Sequence, residues 1–135
     1  MEDMQVSEVM SLMPVTCRLE HNLDYVARIL SDAEVSAIIV VDEEEKPLGV
    51  VSQYDLLKYY GKEISKINVS KVMSKKIESI EKNDSVQKAV DIMLKENINR
   101  LLVLDENKTR IEGVISRTDI IRTMRLSLED QAFTS

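Results

Sequence analysis

Between Asn22 and about Ala33 the apolar positions are Leu23, Val26, Ala27, Ile29 and Leu30, the spacing of one helical face. The stretch from about Ser85 to Glu96 repeats that spacing with Val86, Ala89, Val90, Ile92 and Met93. Asp84, followed by Gln87 three residues later, predicts a capping box at its start. After each helix comes a run without polar interruption, Ala37 to Val41 and Leu101 to Leu104. Runs this apolar and this short predict strands covered on both faces. Polar turns follow (Asp42 to Pro47; Asp105 to Arg110), then returning strands at Leu48 to Ser52 and Ile111 to Ser116. Closing helices are predicted over Gln53 to Tyr60 and Arg117 to about Leu126, and short extended entries over Val15 to Cys17 and Glu78 to Ile80. The order is strand–helix–strand–strand–helix, twice.

Superposing the chain on itself fixes the repeat. At an offset of 63, Val9-Met10 falls on Val72-Met73, Thr16 on Ser79, Leu23 on Val86, and Val40-Val41-Asp42 on Val103-Leu104-Asp105. One residue is then gained, and at offset 64 Gly49-Val50-Val51-Ser52-Gln53-Tyr54-Asp55 falls on Gly113-Val114-Ile115-Ser116-Arg117-Thr118-Asp119. The gain lies between Glu43 and Leu48, where a turn tolerates it best. Repeat 1 is read as residues 6–60, a linker as 61–67, repeat 2 as 68–126, and 127–135 as a frayed tail. Two copies are too few for a solenoid, so each must bury its apolar face against the other. The expected fold is α+β, two repeats related by a pseudo-two-fold axis and packed into one globule.

Composition narrows the function classes. A chain of 135 residues, 44 % hydrophobic and 31 % charged, can build and cover a core without staples. Cys17 is the single cysteine, which excludes an internal disulfide. Met1-Glu2-Asp3-Met4 lacks the basic and apolar regions of a signal peptide, and no apolar run is long enough to span a bilayer. A cytoplasmic location and no membrane partner are therefore expected. The net charge of −6 argues against nucleic acid as a partner. That charge is uneven: residues 1–60 carry 4 Lys/Arg against 12 Asp/Glu, and residues 61–135 carry 14 against 12. The second half can thus supply cations to an anionic small molecule, or the two halves simply present differently solvated faces.

The pattern Gly-h-h-Ser-x-x-Asp (h apolar) enters each closing helix. Ser52 with Asp55, and Ser116 with Asp119, suit a capping box that satisfies free backbone N–H groups. The same geometry also suits a ligand: a helix N-terminus favours phosphate, and a nearby carboxylate accepts hydrogen bonds from ribose hydroxyls.

In tandem, and with that motif in register, this order resembles a pair of CBS (cystathionine-β-synthase) domains, a Bateman module, over about Val6 to Met124. The resemblance implies a stand-alone regulatory or sensor module that binds an adenine nucleotide (AMP, ADP or ATP) and acts on a separate, unidentified partner. It implies a homodimer, no catalytic cofactor and no enzymatic activity. S-adenosylmethionine or NAD as ligand, or a ligand-free interaction module, are its alternatives. It also implies two sites, each combining the Ser/Thr that opens one repeat with the Asp motif that closes the other. One takes Thr16, Ser36, Ala37 and Ile38 with Ser116, Arg117, Thr118 and Asp119. The other takes Ser79, Asn99, Arg100 and Leu101 with Ser52, Gln53, Tyr54 and Asp55. Asp is the ribose contact, strand edges hold adenine, and hydroxyls with arginine hold phosphate. Other chemistry is poorly supplied. His21 is a lone turn histidine that with Cys17 makes neither a zinc site nor a triad. The acidic run Asp42-Glu43-Glu44-Glu45 reads as a solvated hairpin tip.

Overall fold

The computed structural model describes residues 4–12 and 14–134, with side chains described up to residue 125. The strands are β1 (Thr16–Arg18), β2 (Ala37–Val41), β3 (Pro47–Ser52), β4 (Ser79–Ile80), β5 (Arg100–Leu104) and β6 (Ile111–Ser116). The helices are α1 (Leu23–Ala33), α2 (Gln53–Leu57), α3 (Val86–Glu96) and α4 (Arg117–Thr134). The result is a mixed α+β fold with two three-stranded sheets, ordered β1-β2-β3 and β4-β5-β6. In each sheet the first pair is parallel and the second antiparallel. The parallel pair requires a crossover, which α1 and α3 supply.

The two hairpins explain the change of offset. β2 and β3 are joined by residues 42–46, β5 and β6 by 105–110, so the added residue sits in the second turn. Each turn is built on its aspartate. Asp42 Oδ1 accepts from the amides of Glu44 and Lys46, and Asp105 Oδ1 from those of Thr109 and Arg110. These two amides hold the Asp105 carboxyl below the ordinary carboxylate range.

Three local expectations are corrected. α3 is capped by Ser85, whose Oγ accepts from the Lys88 amide. Asp84 instead accepts from Glu81, and Gln87 bonds Asp91, so the expected Asp84–Gln87 box does not form. α2 ends at Leu57 rather than Tyr60, because the chain closes into turns through Tyr59 and Tyr60 back towards Ile64. α4 runs to Thr134, past the Leu126 at which apolar periodicity stops; Ser135 lies outside the described residues.

The chain divides into two compact units, and the division is not that of the sequence repeats. One unit is Pro14–Ile77; the other joins Met1–Met13 to Glu78–Ser135. Each thus consists of one repeat body and the leading segment of the other repeat. In the Pro14–Ile77 unit the leader bridges Asn68 to Asn22 and Ser74 to Val50. In its counterpart Gln5 bridges Ser85 and Ser11 bridges Val114, the same positions at offsets 63 and 64. Backbone bonds seal both arrangements, among them Val50 N to Ser74 O at 3.0 Å and Val114 N to Ser11 O at 3.0 Å. The core follows the same exchange. Val69 lies fully buried with Cys17, Leu23, Val26, Leu30, Ile38, Val40 and Val51. Val6 lies fully buried with Ile80, Val86, Ala89, Met93, Leu101, Val103, Ile115 and Ile120.

This docking explains the motif glycines. A Cβ on Gly49 would stand 2.8 Å from Ser74 O and from Met73 Sδ; one on Gly113 would stand 2.6 Å from Ser11 O and 2.9 Å from Met10 Sδ. Gly113→Ala should therefore destabilise the protein by about 1–3 kcal/mol, the usual cost of overpacking. The sign is diagnostic, because alanine in a strand interior otherwise gains roughly 0.5–1 kcal/mol over glycine. Urea midpoints of the two proteins decide between them.

Candidate functional site

Each Asp motif is built by the strand that precedes it. In the Pro14–Ile77 unit β3 alternates buried Val51 with half-buried Ser52, whose backbone is still extended as the helix begins. Ser52 Oγ accepts from the Asp55 amide at 3.1 Å, and Asp55 Oδ2 accepts from the Ser52 amide at 3.0 Å. The motif is tied to the start of β2, since Gln53 donates its amide to Ser36 O and its side chain to Val35 O. Ala37 pairs with Ser52 across the sheet, and Thr16 pairs with Ile39 on the other side of β2. Thr16, Ser36, Ala37, Ser52, Gln53 and Asp55 therefore share one region of one unit.

The other unit repeats this at its own motif. Asp119 Oδ2 accepts from the Ser116 amide at 2.9 Å and from Ser116 Oγ at 3.0 Å, and the Asp119 amide bonds Ser116 Oγ at 3.3 Å. Arg117 N donates to Asn99 O, Arg100 pairs with Ser116, and Ser79 pairs with Leu102. Both motifs are thus true capping boxes. In both, the cap uses Oδ2 and leaves Oδ1 as the oxygen able to take a further partner. α4 carries a full helix behind its cap, whereas α2 closes little more than one turn.

Burial separates the expected site residues into three groups. Thr16, Ser36, Gln53, Tyr54, Asn99, Arg117 and Thr118 are exposed, and Ala37, Ser52, Asp55, Ser79, Arg100, Ser116 and Asp119 are half-buried. Ile38 and Leu101 are buried within the cores of their own units. Their side chains pack into those cores, whereas their neighbours Ala37 and Arg100 stay half-buried at the strand edge. Period-two alternation gives no warning of this, because both runs are uniformly apolar and only the first residue of each strand stays half-buried. Tyr54 stands 71 % exposed, with Lys58 Nζ 4.9 Å from its ring centre.

One partner was not legible in the motif. Arg122, one turn into α4, sets its guanidinium 3.5 Å from Asp119 Oδ1. Its counterpart at offset 64 is Lys58, which lies over Tyr54 instead. Among the described residues the Asp55 carboxylate accepts from the Ser52 backbone amide and no side chain bonds it.

The remaining reactive side chains are occupied structurally. Cys17 is buried, and burial pushes its thiol up to about 11, away from nucleophilic chemistry. His21 stacks on Tyr25 with ring centres 3.7 Å apart, and Arg28 lies over the same tyrosine. Among the described residues no cluster of His, Cys, Asp and Glu is arranged to hold a metal ion. None of the described helices is long and apolar enough to cross a membrane.

Residues 6–62 and 69–126 each match the model of the CBS domain. The chain belongs to the CBS domain family. Its two copies make it a CBS pair, as the repeat implies. An uncharacterised protein of Methanocaldococcus jannaschii is 32 % identical over 122 residues, covering 89 % of this chain and 38 % of that protein. The chain spans under half the length of that relative and of the next two curated relatives. Among solved structures, the CBS pair of another M. jannaschii protein, in complex with 5′-methylthioadenosine and S-adenosylmethionine, superposes with a TM-score of 0.84 at 21 % identity. That match covers 93 % of this chain and 99 % of the other. A Vibrio cholerae protein assigned to acetoin utilization superposes at 0.81 with 23 % identity, covering 98 % and 97 %. Both likenesses establish the CBS-pair fold.

Proposed function

We propose that this CBS pair is a non-catalytic sensor module that binds an adenosyl ligand and acts on a separate partner. The observation that carries the reading is the Ser-x-x-Asp cap, built twice with the same geometry. Each half-buried carboxylate is held through Oδ2 by its own cap, which turns Oδ1 outward for ribose hydroxyls, at Asp119 beside the Arg122 guanidinium. The methylthioadenosine and S-adenosylmethionine bound by the M. jannaschii neighbour support an adenosyl group as the shared element of the ligand. On this reading Asp55 and Asp119 take ribose, and the backbone around Ala37 and Arg100 receives adenine. Thr16 and Ser79 supply hydroxyls, and Arg100 and Arg117 supply cations to a phosphate or carboxylate. The buried Cys17 thiol, raised to about 11, is a poor nucleophile, which supports binding of the ligand over its transformation.

Exposed Leu57, Tyr60, Leu94, Ile121 and Met124 lie on or beside the helices and support association with a second copy. They equally favour a second reading, an interaction module whose motifs serve only as caps. Melting the unmutated protein with AMP, ADP, ATP, S-adenosylmethionine, methylthioadenosine and NAD separates the two. A ligand at about 100 times its dissociation constant adds roughly 2.7 kcal/mol, which raises the melting temperature by several degrees. No shift with any of the six would leave the interaction module.

A further inference from the structure

The two motif carboxylates are alike in their caps and unlike beyond them. Asp119 Oδ1, the oxygen turned away from the cap, faces the Arg122 guanidinium at 3.5 Å. The Arg122 side chain is 71 % exposed and that of Asp119 only 16 %, so an exposed cation sits on a largely buried anion. At the matching position of the other repeat, Lys58 is drawn onto the exposed Tyr54 ring, 4.9 Å from its centre. Tyr54 replaces Thr118 in the alignment, and a threonine offers no such face. The tyrosine thereby removes the competing cation from Asp55.

We propose that Arg122 is a specificity-determining residue that makes the Asp119 motif select adenosyl ligands carrying an anionic group, while the Asp55 motif takes neutral ones as well. The proposal rests on the adenosyl-binding reading above and deepens it. Ribose hydroxyls that claim Asp119 Oδ1 must displace Arg122 or share the oxygen with it. A neutral nucleoside returns nothing to the displaced guanidinium. A ligand with a phosphate or carboxylate gives it a new partner, and a planar fork is well suited to receive one. At Asp55 no cation has to move, so a charged substituent on the ligand brings no comparable advantage.

The pair is exposed, so its effect on affinity is modest, about two- to fivefold. It should still be measurable as a ratio. Calorimetry with adenosine and AMP in an Asp55→Ala background isolates the Asp119 motif. There, Arg122→Gln should raise adenosine affinity about two- to fivefold and leave AMP affinity unchanged or lower, so the AMP-to-adenosine ratio falls. Arg122→Lys, which keeps the charge, should retain most of that ratio. Should Asp55→Ala fold poorly, the same substitutions in the otherwise unmutated chain should shift the ratio at one of two fitted sites and not at the other. Binding of both ligands with a ratio indifferent to Arg122→Gln overturns the role of Arg122 and leaves the adenosyl reading standing. If the unmutated protein binds neither AMP nor adenosine, the role of Arg122 is overturned, and the adenosyl reading falls with it only if the six-ligand melting also shows no shift.

Discussion

Val69→Asp is expected to unfold the Pro14–Ile77 unit and to do so by more than about 4 kcal/mol. Val69 belongs to the leader of repeat 2 yet is wholly buried in the core formed by repeat 1. Removing a buried valine forfeits about 1.5–3 kcal/mol of burial, and an aspartate there is a buried charge without a partner. Losses of this size are confined to a few mechanisms, and a buried unpaired charge is one of them. Cys17 provides the readout, because it sits in the same cluster, 3 % exposed. Burial raises its thiol to about 11, so at pH 8 the native protein presents little thiolate, and unfolding restores both access and an ordinary thiol. Labelling by a disulfide reagent should accelerate by roughly three orders of magnitude in the variant, if reaction follows opening of the unit. Slow labelling of Val69→Asp, matching the parent, would show that the leader does not contribute to that core.

Asp55→Ala carries the second large effect, on affinity. Two hydroxyl hydrogen bonds to a charged acceptor contribute about 1.5–3 kcal/mol each, so their loss should cost on the order of 100-fold or more at that motif. The cap itself is a smaller matter. Loss of an acidic residue in the first helical turn costs about 0.3–1 kcal/mol through the dipole, and α2 is only five residues long. Equilibrium binding and thermal melting on the same sample separate the two contributions. Unchanged affinity beside a lowered melting temperature would return Asp55 to a purely structural role.

Most of the fold could be read from the chain because its two periods are clean. The helical faces of Leu23–Leu30 and Val86–Met93 and the apolar runs after them needed no tertiary information. The offset of 63 changing to 64 located the altered turn, and the Ser-x-x-Asp spacing gave both capping boxes. The exchange of leaders was not legible. Val6 and Val69 announce themselves as apolar, but pattern alone does not say which of two similar bodies buries them. The glycines at 49 and 113 hold that information in retrospect, since both are needed where a leader backbone crosses the sheet. At the site, uniformly apolar strands hid the burial of Ile38 and Leu101. The Arg122–Asp119 pair escaped notice because its counterpart Lys58 is also a cation, and only the Tyr54 ring separates their behaviour.

The most direct measurement is titration calorimetry of the unmutated chain and of the Asp55→Ala/Asp119→Ala double variant with S-adenosylmethionine, methylthioadenosine, AMP and ATP. Adenosyl binding through the two caps predicts a saturable isotherm with at least one of these ligands, abolished in a double variant that still melts cooperatively. A flat titration of the unmutated chain with all four, or an isotherm that survives loss of both carboxylates, would contradict it.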